Sequence, residues 1–304
     1  MDNIIMLFVC LAAGMALRKS GRVPDNAHIS INAFIIHVSL PALTLLQIHS
    51  VTLDPALLYA ALMPWLLFAL SALVFWAVGR TLGLPRGTVG ALAVVGGLGN
   101  TSFIGLPMIE AFYGAPGMST GIVIDQLGTY LVLSTVGIML ICFYSEGTVT
   151  GREIARRIAT FPPLIALVVA IALMPVAYPA WATSVLARLG GTLAPLALVS
   201  VGLQLKLGDL PGNKASLAMG VGYKLVLGPL LILLFYAVGL GLRGPITQVT
   251  LFEAGMAPQI GGAIVAIQYG LNAPLISLMV GVGTVLSFVT LPLWWNAFQA
   301  LGLG

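Results

Sequence analysis

The chain has 304 residues, of which 59% are apolar and only 7% charged, and its formal net charge is +4. A soluble domain carries about 25% charged residues, so there is too little polar surface here to face water, and lipid must be the solvent. The basic residues sit in small clusters between apolar runs, a topology signal that excludes a nucleic-acid surface.

A helical span needs roughly 20 apolar residues, which leaves room for ten. They are expected near 4–17, 30–48, 57–78, 88–112, 119–144, 163–178, 185–205, 215–240, 246–269 and 274–300. None shows the strict alternation of a membrane barrel. The first follows Asp2 and precedes Arg18 and Lys19, the pattern of an uncleaved span that starts outside the cytoplasm. Cys10 and Cys142 fall inside apolar runs and read as small buried hydrophobes.

With the first residue outside and ten alternating spans, the cytoplasmic loops collect Arg18, Lys19, Arg22, Arg80, Arg86, Arg152, Arg156, Arg157, Lys206 and Lys214. Only Arg188 and Arg243 remain outside, and Lys224 lies within span eight. This positive-inside bias supports an even span count, with both termini outside the cytoplasmic (inner) membrane.

The halves resemble each other. Phe75-Trp-Ala-Val-Gly79 recurs as Phe235-Tyr-Ala-Val-Gly239, Tyr113-Gly114 as Tyr269-Gly270, and Pro41-Ala-Leu as Pro195-Leu-Ala-Leu, all at offsets near 155–160 residues. Five spans per repeat force the second copy to insert upside down, an architecture that many secondary transporters use. The expected organisation is a first repeat at 1–145, a linker at 146–162 and an inverted repeat at 163–304.

Corresponding spans four and nine carry unusual polar runs: Gly96-Gly-Leu-Gly-Asn-Thr-Ser-Phe-Ile-Gly-Leu-Pro107 and Glu253-Ala-Gly-Met-Ala-Pro-Gln-Ile-Gly-Gly262. Glycine weakens a helix and proline removes a donor, so breaks are expected at Gly99, Pro107 and Pro258. A break exposes the first N–H groups of the next half-helix, with the positive end of its dipole. Two such ends favour an anion. Asn100, Thr101, Ser102, Gln259 and Gly261 stand there with Pro258 as candidate substrate groups. The bland alternative is a pair of kinked helices packed through small residues. The glycine run lacks the Lys-Ser/Thr ending of a phosphate loop.

Intramembrane charges face a pathway or a partner. Asp125, with Gln126 beside it, and Glu253 are candidates for a coupling proton or sodium ion. Lys224 would attract a carboxylate substrate or pair with one of the acids. His28, His37 and His49 lack metal-ligand spacing and read as packing or interface residues, and Trp294-Trp295 as an interfacial anchor. No cofactor motif and no nucleophile–base constellation stands out, so an enzyme is not expected.

The segment Gly99-Asn-Thr-Ser-Phe-Ile-Gly-Leu-Pro107 resembles the fourth-span motif of the auxin efflux carrier family. Glu253–Gly262, Lys224-Leu-Val-Leu-Gly-Pro229 and Ile31-Asn-x(8)-Pro41-Ala-Leu are similar to its ninth-, eighth- and second-span motifs. The resemblance implies an all-α membrane fold of ten helices in two inverted repeats, with crossed, broken helices four and nine. It implies a scaffold of spans one, two, six and seven, often a dimer interface, and a transport unit from the other six. It also implies that Asn100 contacts a substrate carboxylate and that Pro258 and Gln259 mark the second crossover. Plant members usually have proline before that asparagine, where this chain has Gly99; their long cytoplasmic loop shrinks here to about 145–162. The expected function is elevator-like permeation of a small mono- or dicarboxylate. A passive uniporter or channel and, far behind, a membrane ligand sensor are the alternatives.

Overall fold

The structure is a computed structural model that describes residues 2–49, 57–145, 151–160, 162–204 and 210–303. Lys206 and parts of the expected linker (146–150 and 161) lie outside the described residues. Among the described residues the chain is helical throughout, and the only extended pairing is one isolated bridge. Among the described residues six helices are long and apolar enough to cross a membrane.

In chain order, α1 is Asp2–Ser20, α2 Ala27–Leu46, α3 Leu58–Leu82 and α4 Arg86–Gly97. After a break come a widened turn at Thr101–Gly105 and α5 (106–113), which ends where Gly114 adopts φ 66°. The second half follows α6 (Pro116–Tyr144) and a short amphipathic α7 (Gly151–Ala159). It comprises α8 (Pro162–Leu173), α9 (Ala180–Gly191), α10 (Leu193–Gln204), α11 (Gly212–Gly239), α12 (Pro245–Ala254), α13 (Ile260–Gln268) and α14 (Ala273–Ala300).

The helices pack as two groups. In one, α1 crosses α10, and α2 packs against α8, α9 and α10. Gly14 and Gly202 face each other's helix backbones at the α1–α10 crossing, where a side chain at either would overlap main chain. Such close approach is how helices associate in lipid, where burial of apolar surface supplies no drive. Two polar contacts add to it: Ser200 donates to Asn32 (2.6 Å), and the Ser39 and Thr192 hydroxyls share a hydrogen bond (2.7 Å). In the other group, α4 is buried on every side from Thr88 to Gly97, among α3, α6, α11, α13 and α14. The outer faces carry Leu58, Leu73, Trp76, Val168 and Trp181, all exposed and apolar. Water would make these faces an aggregation surface; lipid does not.

Three widened turns, Ile35–Ser39, Thr101–Gly105 and Tyr223–Leu227, each end two residues before a proline: Pro41, Pro107 and Pro229. In each, the residue before the proline donates five residues back instead of four. Proline has no N–H and its ring crowds the carbonyl four back, so the turn opens. Pro107 therefore does not break its helix, contrary to the sequence expectation; it widens the turn that follows the break. The half-buried Trp294 makes a contact the sequence did not foresee: its indole N–H donates to the Leu225 carbonyl (2.8 Å), the group whose helical partner would be Pro229.

Candidate functional site

Helix α4 stops because Leu98 turns extended (φ −103°, ψ 128°), and α12 stops at Gly255. The two gaps meet. The Asn100 N–H donates to the Ala257 carbonyl (2.7 Å), and the Gln259 N–H to that of Leu98 (3.0 Å). Gly99 and Pro258 sit opposite each other between these bonds. That is the non-hydrogen-bonded position of an antiparallel pair, so Pro258 costs the bridge no donor. The exposed backbone of each gap is satisfied by the other, as burial demands.

Around the first gap the side chains are closely paired. Asn100 caps the following helix, its Oδ1 accepting from the Phe103 N–H at 3.1 Å. Asp125, on α6 and fully buried, accepts from the Thr101 hydroxyl (2.6 Å), the Ser102 hydroxyl and the Gln126 amide (2.7 Å). Thr101 and Ser102 thus turn to Asp125.

The second gap is different. Lys224 is fully buried, and its Nζ donates to the Ala254 carbonyl at 2.8 Å. That carbonyl ends α12 and would have residue 258 as its helical donor, a proline. A cation at a helix C-terminus also suits the dipole. The expected pairing of Lys224 with an acid is not formed among the described residues. Glu253 is buried, and neither of its carboxylate oxygens has a hydrogen-bond partner. Gln259 begins α13 without capping it, and its Oε1 is unpartnered.

Between α2 and the two gaps lies a cavity of about 20 Å³, walled by Ile36, Leu40, Asn100, Thr101, Ser102, Phe103, Tyr130, Leu133, Gln259 and Gly261. It has room for little more than one water. Three buried polar atoms of its wall residues lack partners: Asn100 Nδ2, the Tyr130 hydroxyl and Gln259 Oε1. Tyr130, five residues beyond Asp125, counts from the sequence as one of the polar groups next to that acid, and the structure puts it in the cavity wall. A larger space of about 500 Å³ shares the Ile36 wall and runs between α2 and α13 past Asn32, His37, His28 and Gln268. A third, of about 250 Å³, shares His28 and Ile267 and reaches Arg18 and Asp25. His28 and His37 therefore line a crevice between α2 and α13, the interface alternative of the sequence reading. Pro258 stands in the bridge itself, and Gly261 in the first turn of α13. Among the described residues no three His, Cys, Asp or Glu side chains converge as a metal site.

Among the described residues, an all-helical, apolar-faced chain with two interrupted helices meeting beside a small cavity is a multi-pass membrane protein. The chain belongs to the membrane transport protein family, whose pattern matches residues 1–154 and 148–295. It is similar to an uncharacterized transporter of Methanothermobacter thermautotrophicus, 28% identical over 301 residues and 96% of both chains. It is also similar to one of Methanocaldococcus jannaschii, 24% identical over 312 residues and 97% of both. These relationships imply a transporter and not an enzyme.

Proposed function

We propose that the protein is a secondary transporter moving a small mono- or dicarboxylate across the cytoplasmic membrane. Its fold would be ten spans in two inverted repeats (1–145 and 163–304), in the auxin efflux carrier branch of the family. The α1, α2, α8, α9 and α10 group would be the scaffold, pairing two copies through its lipid-facing side. The group around α4 and α12 would be the transport unit, sliding against it as an elevator. With its basic clusters in the cytoplasm, both termini would lie outside.

The observation that carries this proposal is the meeting of the two gaps at Gly99 and Pro258, with Asn100 Nδ2 left unpartnered beside the cavity. A buried donor without an acceptor is costly, and a ligand oxygen would satisfy it. Thr101, Ser102, Gln259 and Gly261 would complete the carboxylate cradle. Lys224 would add attraction from the second gap, and Asp125, Gln126 and Glu253 are the candidates for coupling to a proton or sodium ion. The crevice from Arg18 past His28 and His37 would be the cytoplasmic entrance. The test is a thermal-shift screen of small carboxylates on wild type and Asn100→Ala. The expected ligand raises the melting temperature of wild type alone; equal stabilisation of both refutes the site. Uphill accumulation of that ligand in proteoliposomes would separate a coupled carrier from a passive one.

A further inference from the structure

Among the described residues, three side chains of the ordinarily charged types are buried at the crossing: Asp125, Lys224 and Glu253. Asp125 accepts three hydrogen bonds, and Lys224 holds a backbone carbonyl. Glu253 has neither donor nor cation at either oxygen. Its carboxylate lies over Gly105 in the widened turn of the opposite half, where an added methyl would come within 2.6 and 2.8 Å of its two oxygens.

Fully ionised, the trio carries one net negative charge. An ionised carboxylate away from water persists only with a positive partner and hydrogen bonds. The charged groups facing Glu253 are Lys224, from α11, whose charge attracts it while its hydrogen bond goes to Ala254, and Asp125, from α6, which repels it; one cation against two acids leaves the crossing negative. Also titratable among the described residues on elements around α12 are Tyr59 on α3, bonded to Thr247 (3.2 Å), and Tyr113 and Glu110 on α5, none of them a cation. Arg243 stands ten residues before Glu253, at the other end of α12, and donates to the Ala237 and Leu242 carbonyls.

We propose that the Glu253 carboxylate, beneath Gly105, is the binding site of one monovalent cation, a proton or Na⁺, that brings the crossing to neutrality. Asp125, with its oxygens already engaged by Thr101, Ser102 and Gln126, is the fixed charge of the site and not the exchanging one. In its consequence for transport this rests on the anion-carrier proposal: an anion entering a crossing already at net −1 is repelled, so the cation loads first.

The test needs no carboxylate substrate. Purified wild type, Glu253→Gln and Gly105→Ala are melted in choline chloride and in rising NaCl at fixed pH, then across pH 5.5–8.5 without sodium. If the cation is Na⁺, the wild-type melting temperature rises with NaCl by roughly 3 °C or more at saturation. If it is a proton, the melting temperature falls as pH rises, because a proton held in the folded state is lost from it. Glu253→Gln is flat in whichever series moves the wild type. Gly105→Ala keeps the carboxylate but crowds it, and shifts the midpoint to higher sodium or lower pH. This second variant also decides the matter where Glu253→Gln fails to fold. A wild type flat in both series, or a Glu253→Gln response equal to wild type, overturns the proposal. Either result leaves the Asn100 site standing, because no anion is present. Conversely, a carboxylate that stabilises Asn100→Ala as well as wild type refutes that site without touching this one.

Discussion

The two gaps are built from similar backbone and opposite side-chain economies. The first ties up its acid: Asn100 Oδ1 caps its own helix, and Thr101, Ser102 and Gln126 converge on Asp125, while Asn100 Nδ2 stays open beside the cavity. The second is left open: Glu253 and the Gln259 oxygen have no partner, and Lys224 serves a backbone carbonyl. A saturated network holds one geometry, while an unsaturated one is where a ligand or ion lowers the free energy. The difference leaves the acid of the first half, Asp125, engaged and the acid of the second, Glu253, unengaged.

That contrast can be broken by substitution. The largest effect is expected from Asp125→Ala, which strips the acceptor from three buried donors. It should cost about 3 kcal/mol or more in chemical unfolding of the detergent-solubilised protein. Glu253→Gln should move the same measurement by less than about 1 kcal/mol, since no hydrogen bond is lost with it. Equal losses at the two positions would erase the distinction. Asn100→Ala should cost about 1 kcal/mol, the value of a helix N-cap, while abolishing the carboxylate-induced shift. The smallest change is expected for Gly99→Pro. Its N–H takes no part in the bridge, and Leu98 is already extended as a residue before proline must be. Stability should stay within about 1 kcal/mol, and a loss well beyond that would show that Gly99 has a backbone role Pro258 lacks.

Much of this was legible in the residues. Glycine, proline and asparagine placed both interruptions, because helix-breaking chemistry is local. Asp125 and Glu253 stood out because a charge in an apolar run is conspicuous. What they bind was hidden: the hydroxyls on Asp125 lie 23 and 24 residues upstream. The carbonyl under Lys224 is a main-chain group that no residue type advertises. Pro107 was misjudged because proline has two outcomes in a helix, a break or a widened turn, and tertiary packing selects between them. The recurrence at Pro41 and Pro229 offered a signal that could have told them apart. For the histidines the sequence left packing and interface open, because lining a crevice leaves no periodic trace.

The pair of main-chain bonds joining Leu98 and Asn100 to Ala257 and Gln259 also has a consequence in time. The two partners leave the ribosome roughly 160 residues apart, which at about 5–20 residues per second is on the order of ten seconds or more. For that interval the nascent first half sits in the bilayer with two polar backbone groups waiting for a strand not yet made. Biogenesis must therefore tolerate an unfinished centre, shielded by water, by neighbouring spans or by an insertase, and a fragment ending after α6 would keep that defect indefinitely.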